Sequence, residues 1–261
     1  MRICVLGHST SSGDWLPDRA LAFPWLVAAE LAAATAEPAE VFHYSFVPMG
    51  GRAVKYGLAK VEECDPDIVI VPVASFVCSI GTVGERVRRR WGERPFRAFH
   101  RAERTFDGRT ANRPGARGRI NRLGRRITRK LLGTVTFTTV DDSVDVYADL
   151  IRGLAQREGI VVAALMEPSW PGWVDGENRG ATSAHHALRD GVKVVALQHH
   201  VLWAESDTVY DADPDREALY FADGVHKTIA GHRAYADALL PVLLAADGPL
   251  ADRLARTPEQ V

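Results

Sequence analysis

Apolar runs of strand length alternate with stretches in which apolar residues recur every three or four positions, through most of the chain. The runs fall at residues 3–7, 41–47, 67–74, 160–166 and 192–198. They are rich in Val and Ile and apolar throughout, as strands covered on both faces should be. Helical spacing fills the intervals at 23–35, 52–63, 143–158 and 180–190, and a last helix spans 228–244. This alternation predicts an α/β fold, a parallel sheet with helices on both faces. Right-handed crossovers make it a three-layer, flavodoxin-like open sheet of five mainly parallel strands. Such sheets receive ligands at the carboxyl ends of their strands, so every segment that follows a strand is a candidate site.

The alternation breaks once, between the third and fourth strands. The stretch from Gly81 to Gly133 is too long for one crossover helix, and Trp91, Phe96, Phe99 and Phe106 punctuate a run of arginines. Its first part fits an amphipathic helix. Residues 108–118 (GRTANRPGARG) read as a loop. Residues 134–140 are β-branched and fit either an extra strand or an extended link. The chain thus reads as one domain over 1–261 with an Arg-rich insertion at about 82–133.

Composition narrows the class. With 46% hydrophobic and 25% charged residues the chain has the make-up of a soluble globular protein, and its longest apolar runs fall far short of a membrane span. No signal-peptide pattern opens it. Cys4, Cys64 and Cys78 are an odd count in mostly apolar surroundings, better read as buried hydrophobes than as a disulfide or metal framework. Together these features point to a cytoplasmic protein. The net charge of −1 conceals a segregation: Arg86 to Lys130 carries a net +14, and the remainder −15.

Two segments carry candidate chemistry. Near the end, Asp223-Gly224-Val225-His226 opens the last helix. A carboxylate three residues before a histidine can orient and charge-stabilise the imidazole, leaving the other ring nitrogen as a base. By itself this pattern is common, and a helix cap beside an exposed His is its ordinary meaning. At the other end, Gly7-His8-Ser9-Thr10-Ser11-Ser12-Gly13 follows the first strand. A serine in such a turn sits at the strand's carboxyl end with its amide free to donate to an oxyanion, although Ser-rich turns are also ordinary loop chemistry.

Taken together, GHSTSSG after the first strand and DGVHKTIAGH at the last helix resemble the two end blocks of the SGNH (GDSL-like) hydrolase superfamily. The resemblance covers the sheet framework from residue 1 to about 245, without the insertion. It implies a serine-dependent acyl-ester hydrolase or acyltransferase in which Ser9 is the nucleophile, His226 the base and Asp223 its partner, with no cofactor. The family's second block places an oxyanion-hole glycine after the second strand; Gly51 matches best, with Gly50 the alternative. Two positions depart from the pattern. His8 stands where the first block usually has Asp, and Phe76 where the third block usually has an oxyanion Asn, so that Ser75 or Ser79 would have to replace it.

Other features stay open. Trp170 and Trp173, in the Pro-rich loop after the fourth strand, either wall an acyl pocket or pack locally. The pairs His199-His200 and His185-His186 are poorly placed to share an ion, and no metal is expected. The acidic stretch 205–217 reads as a solvated loop. The basic insertion has no recognised nucleic-acid module, so nucleic acid is disfavoured. It is better placed as a rim that receives an anionic partner: the phosphates of coenzyme A on a thioester, or an acidic acyl carrier protein. The competing reading is a non-catalytic binding protein on the same fold, whose basic insertion docks an anionic partner.

Overall fold

The computed structural model describes residues 1–105, 131–245, 248, 250 and 251. Its strands are β1 Arg2–Gly7, β2 Glu40–Ser45, β3 Ile68–Val73, β4 Val161–Met166 and β5 Leu202–Glu205. They form one parallel sheet in the order β2-β1-β3-β4-β5. The helices are α1 Phe23–Thr35, α2 Gly50–Cys64, α3 Phe76–Ser79, α4 Val83–Trp91, α5 Glu93–Thr105, α6 Val140–Ala155, α7 Gly172–Glu177, α8 Ala181–Gln198, α9 Asp207–Ala212 and α10 Ile229–Leu243. This is the open flavodoxin-like sheet that the alternation predicts.

Strand periodicity builds the three layers. Ile3 and Val5, Ile68 and Ile70, and Ala163 and Leu165 face α1 and α10, meeting Phe23, Leu31, Tyr235 and Leu239. Cys4 and Leu6, Val69 and Val71, and Ala164 and Met166 face the other way, onto Val61 of α2, Leu150 of α6 and Leu188 of α8. Successive strand residues point to opposite faces, so an unbroken apolar run feeds both cores. Each fully buried aliphatic side chain contributes about 1.5–3 kcal/mol.

One predicted strand is corrected. Residues 192–198 are the last turns of α8, and β5 comes after them. The buried positions Ala181, His185, Leu188, Val192 and Ala196 follow helical spacing, while Val194 and Leu197 stay exposed. His200, with a φ of 54°, ends the helix and turns the chain into the short edge strand. His199 and His200 therefore precede β5 rather than follow it.

Within the insertion, the expected amphipathic stretch is two helices, α4 and α5, separated at Gly92 (φ 84°). Phe96 and Phe99 close over Gly84. Val135 makes an isolated antiparallel bridge to Thr82, and the chain then enters α6, so residues 134–140 are essentially a link. The predicted loop at 108–118 lies outside the described residues.

Sheet order reverses between β1 and β3, where chain paths diverge and leave a crevice at the carboxyl edge. The segments after β1, β2, β3 and β4 open onto that edge.

Candidate active site

The turn after β1 leaves Ser9 exposed between the buried residues His8 and Thr10. The amides of Ser11 and Ser12 both donate to the His8 carbonyl, at 3.0 and 3.1 Å, and the Ser12 hydroxyl donates to the Ser9 carbonyl at 3.0 Å. Ser11 is the inner support, its hydroxyl 2.9 Å from both the His8 carbonyl and His43 Nε2. Glycine suits the position before this turn, because a Cβ on Gly7 would fall 1.9 Å from Ser11 Oγ and force that side chain to shift. Burial lowers the His43 pKa to about 4, with Arg19 and His8 adding to the effect, so the ring is neutral at pH 7.

Opposite stands the loop before α10. It is closed by a bridge between Tyr220 and Lys227 and by the Phe221 amide donating to the His226 carbonyl at 2.9 Å. Asp223 Oδ1 accepts the amides of Val225 and His226 at 2.9 and 3.0 Å, and Oδ2 lies 2.8 Å from His226 Nδ1. Burial pushes the Asp223 carboxyl up, but the hydrogen bond and charge of His226 outweigh it and hold the group below its ordinary value. With Asp223 accepting at Nδ1, the ring's other nitrogen is free to accept. His226 Nε2 lies 3.0 Å from Ser9 Oγ. The structure thus brings Ser9, His226 and Asp223 into one line of contacts.

Aromatic side chains flank that line. The Trp15 ring stacks on His226 with centroids 3.9 Å apart. Trp173 packs against Gly224, where a Cβ would lie 2.5 Å from the indole. Gly51 lies exposed in the first turn of α2, whose leading amides have no acceptor within the helix. Gly50 precedes it with a φ of 70°.

The remaining candidates are placed differently. Ser75 is buried, and its hydroxyl lies 3.0 Å from His185 Nδ1, turned into the interior. Phe76 covers His8, with ring centroids 5.2 Å apart. Ser79 Oγ accepts from Trp170 Nε1 at 3.0 Å, and Trp170 is buried with Phe76, Ile80 and Val225. Of the two readings of Trp170, the contacts are those of local packing. His232, the second histidine of the DGVH…GH block, is a buried cap: its Nδ1 accepts the Phe23 amide at 3.2 Å.

Beneath the Ser9–His226 contact lies a buried polar cluster that sequence reasoning did not assign. Glu167 directly follows β4, and its Oε1 sits 2.9 Å from His8 Nε2 in a close contact that is not aligned as a hydrogen bond. Lys227 is 1% exposed and donates to the Val225 carbonyl at 2.6 Å, below the Tyr220 ring. Burial lowers the Lys227 pKa to about 8, against the opposing pull of Glu167 and Asp223. Burial pushes Glu167 up, but the charge and contact of His8, with Lys227 behind it, hold it below its ordinary value. The only prior signal was the position of Glu167 at a strand's carboxyl end.

No protein-family model matches the chain. No curated protein matches it either. Solved structures do, over nearly its whole length. An alpha/beta hydrolase enzyme from the metagenome of Lake Arreo, Spain, superposes with a TM-score of 0.57 at 14% identity, covering 95% of this chain and 96% of that one. A lipase/acylhydrolase from Enterococcus faecalis gives 0.55 at 13% identity, over 93% and 94% of the two chains. The acetylxylan esterase Axe2 from Geobacillus stearothermophilus gives 0.52 at 14% identity, over 93% of each. At these identities the likeness is one of fold: the chain shares the open α/β architecture of these solved hydrolases and esterases.

Proposed function

We propose that this chain is a serine-dependent acyl-ester hydrolase, with Ser9 as nucleophile, His226 as base and Asp223 as the group that orients it. The observation that carries the reading is the pair of contacts at 3.0 Å (Ser9 to His226) and 2.8 Å (His226 to Asp223). They lie at the carboxyl edge of a sheet whose fold is that of known esterases and lipases.

In this reading Ser9 Oγ attacks the acyl carbon while His226 Nε2 takes its proton. The negative charge on the former carbonyl oxygen is received by the amides of Ser9 and Gly51. Collapse expels the alcohol, which leaves with the proton from His226. Water, deprotonated by the same nitrogen, then attacks the acyl-enzyme and restores Ser9. Phe76 provides no oxyanion donor where the family has Asn, and one missing donor costs about 10²–10³ in rate, so modest turnover is expected. Exposure of Ser9 favours water as acceptor and hydrolysis over acyl transfer.

The substrate of this reading is a small acyl ester or thioester. Arg86, Arg89 and Arg90, with Val135, line a cavity of about 330 Å³ on the insertion. Arg88 and Arg89 are both committed to the buried Glu85. Arg86 and Arg90, which line this cavity, have no carboxylate partner among the described residues, and in this reading they receive the phosphates of a coenzyme A thioester or an acidic acyl carrier protein. Exchanging Arg86 and Arg90 for Glu should then raise KM for an anionic thioester and leave KM for a neutral ester unchanged.

A fluorophosphonate probe tests the core of the proposal. The expected result is labelling of the wild-type chain that vanishes in Ser9→Ala, together with hydrolysis of short p-nitrophenyl esters. Absence of both reactions would overturn it in favour of a binding protein on the same fold.

A further inference from the structure

We propose that Glu167 is a positioning residue, a buried carboxylate that ties the turn carrying Ser9 to the loop carrying His226. The inference deepens the hydrolase reading and rests on it for its kinetic consequences. Ser9 and His226 come from opposite ends of the chain, and their mutual distance depends on two short backbone segments staying in register. His8 sits on the first segment, immediately before Ser9. Lys227 sits on the second, immediately after His226, and holds the Val225 carbonyl of that loop. Glu167 enters between them from the end of β4, in contact with His8 and in the field of Lys227.

The geometry of His8 fits this role. Its Nδ1 accepts the Thr10 amide at 3.4 Å, which turns Nε2 toward Glu167. Both members of the pair are shielded: the side chains of His8 and Glu167 are 5% and 6% exposed. Other groups near this carboxylate are Tyr147 of α6, His185 of α8, Tyr210 of α9, Tyr220 of the loop before α10, and His232 and Tyr235 of α10. The two segments also meet directly at His226, through the Ser9 hydroxyl and the stacked Trp15 ring. Glu167, from the end of β4, sets a carboxylate against the His8 ring at 2.9 Å.

Burying ions is costly unless they are paired, and removing one partner alone leaves the other uncompensated. Glu167→Gln alone therefore risks unfolding, and the decisive variant is Glu167→Gln with Lys227→Met, which removes charge and countercharge together. Misplacement of reacting groups by about 1 Å costs on the order of 100-fold in rate. The expected result for the double variant is a native thermal transition, kcat for p-nitrophenyl acetate at least about tenfold lower, and KM within about twofold of wild type. Wild-type kcat in the folded double variant would overturn the proposal and leave Glu167 a purely structural ion.

A second readout does not depend on turnover. The His226 Nδ1 proton, assigned in the NMR spectrum by its loss in His226→Asn, should broaden or disappear in the double variant as the loop loosens. An unchanged resonance would overturn the proposal even if the wild-type chain hydrolysed nothing. Failure of wild-type labelling by fluorophosphonate would refute the hydrolase reading alone.

Discussion

Replacing Asp223 by Asn keeps the side chain's shape and changes only which atoms donate. In the native loop Oδ1 accepts two amides, at 2.9 and 3.0 Å, and Oδ2 accepts the His226 Nδ1 proton at 2.8 Å. An Asn has one oxygen for these two sides. If the oxygen stays on the amides, its NH₂ faces Nδ1, which must then be an acceptor. If it flips, two backbone donors face an NH₂. Each backbone bond is worth about 0.5–1.5 kcal/mol net, so keeping two of them outweighs keeping one. The ring proton is then driven to Nε2, where Ser9 needs an acceptor. A base in the wrong tautomer costs about 10⁴ in kcat, equivalent to about 5 kcal/mol of barrier. The stability loss is far smaller, about 1–2 kcal/mol for charge-assisted bonds exchanged for neutral ones. The assay is steady-state hydrolysis of p-nitrophenyl acetate beside a thermal melt and fluorophosphonate labelling. A folded Asp223→Asn chain with kcat within tenfold of wild type would refute the tautomer argument and with it the role given to Asp223.

Further outcomes follow from other contacts. Gly7→Ala should destabilise the chain by about 1–3 kcal/mol and slow Ser9 labelling, because the new methyl displaces the Ser11 hydroxyl; unchanged melting and labelling would refute the steric account. Cys4, Cys64 and Cys78 are buried free thiols whose pKa values burial raises, so a chromogenic disulfide reagent should titrate three thiols only in denaturant; fast native reaction would contradict their burial. For Lys227, the folded pKa of about 8 lies below the ordinary value of 10.5, so the unfolded chain binds more protons between them. Its penalty, on the order of 3 kcal/mol below pH 8, is relieved as pH rises from about 8 toward 10.5. Wild-type stability relative to Lys227→Met should therefore rise over that window, and a flat difference in unfolding free energy would refute the burial cost.

The alternation of strands and helices was legible because a parallel sheet covered on both faces asks for continuous apolar runs, and such runs lie where β1, β3 and β4 form, with a more mixed one at the edge strand β2. The fifth was misplaced because Val192, Val195 and Ala196 close a helical face that, in a short window, looks like a strand. The true edge strand, Leu202 to Glu205, has only four residues, and one of them is the carboxylate that pairs with Lys193 and the Trp203 indole. Such a segment carries no pattern of its own. The site divides in the same way. Asp223 and His226 are joined by local backbone geometry, so three-residue spacing suffices to suggest them. Ser9, as a candidate, was suggested by its position after a strand, and the fold sets it 3.0 Å from His226. The partners of Ser75 and the burial of Trp170 depend on what the fold sets against them.

Glu167 and Lys227 show why the remainder was not readable. Isolated in sequence, a glutamate after a strand and a lysine after a histidine are ordinary surface residues, since charged side chains are seldom fully buried unless paired. They come near one another only once β1, β4 and the loop before α10 converge on one edge of the sheet. What sequence can specify for a composite site is the set of groups that react, because their requirements are local. What it leaves to the fold is the set that holds them at distance, because a counterion is defined by its neighbours. The place of His8 is intelligible only at that second level, where Glu167, 159 positions later in the sequence, meets its ring at 2.9 Å.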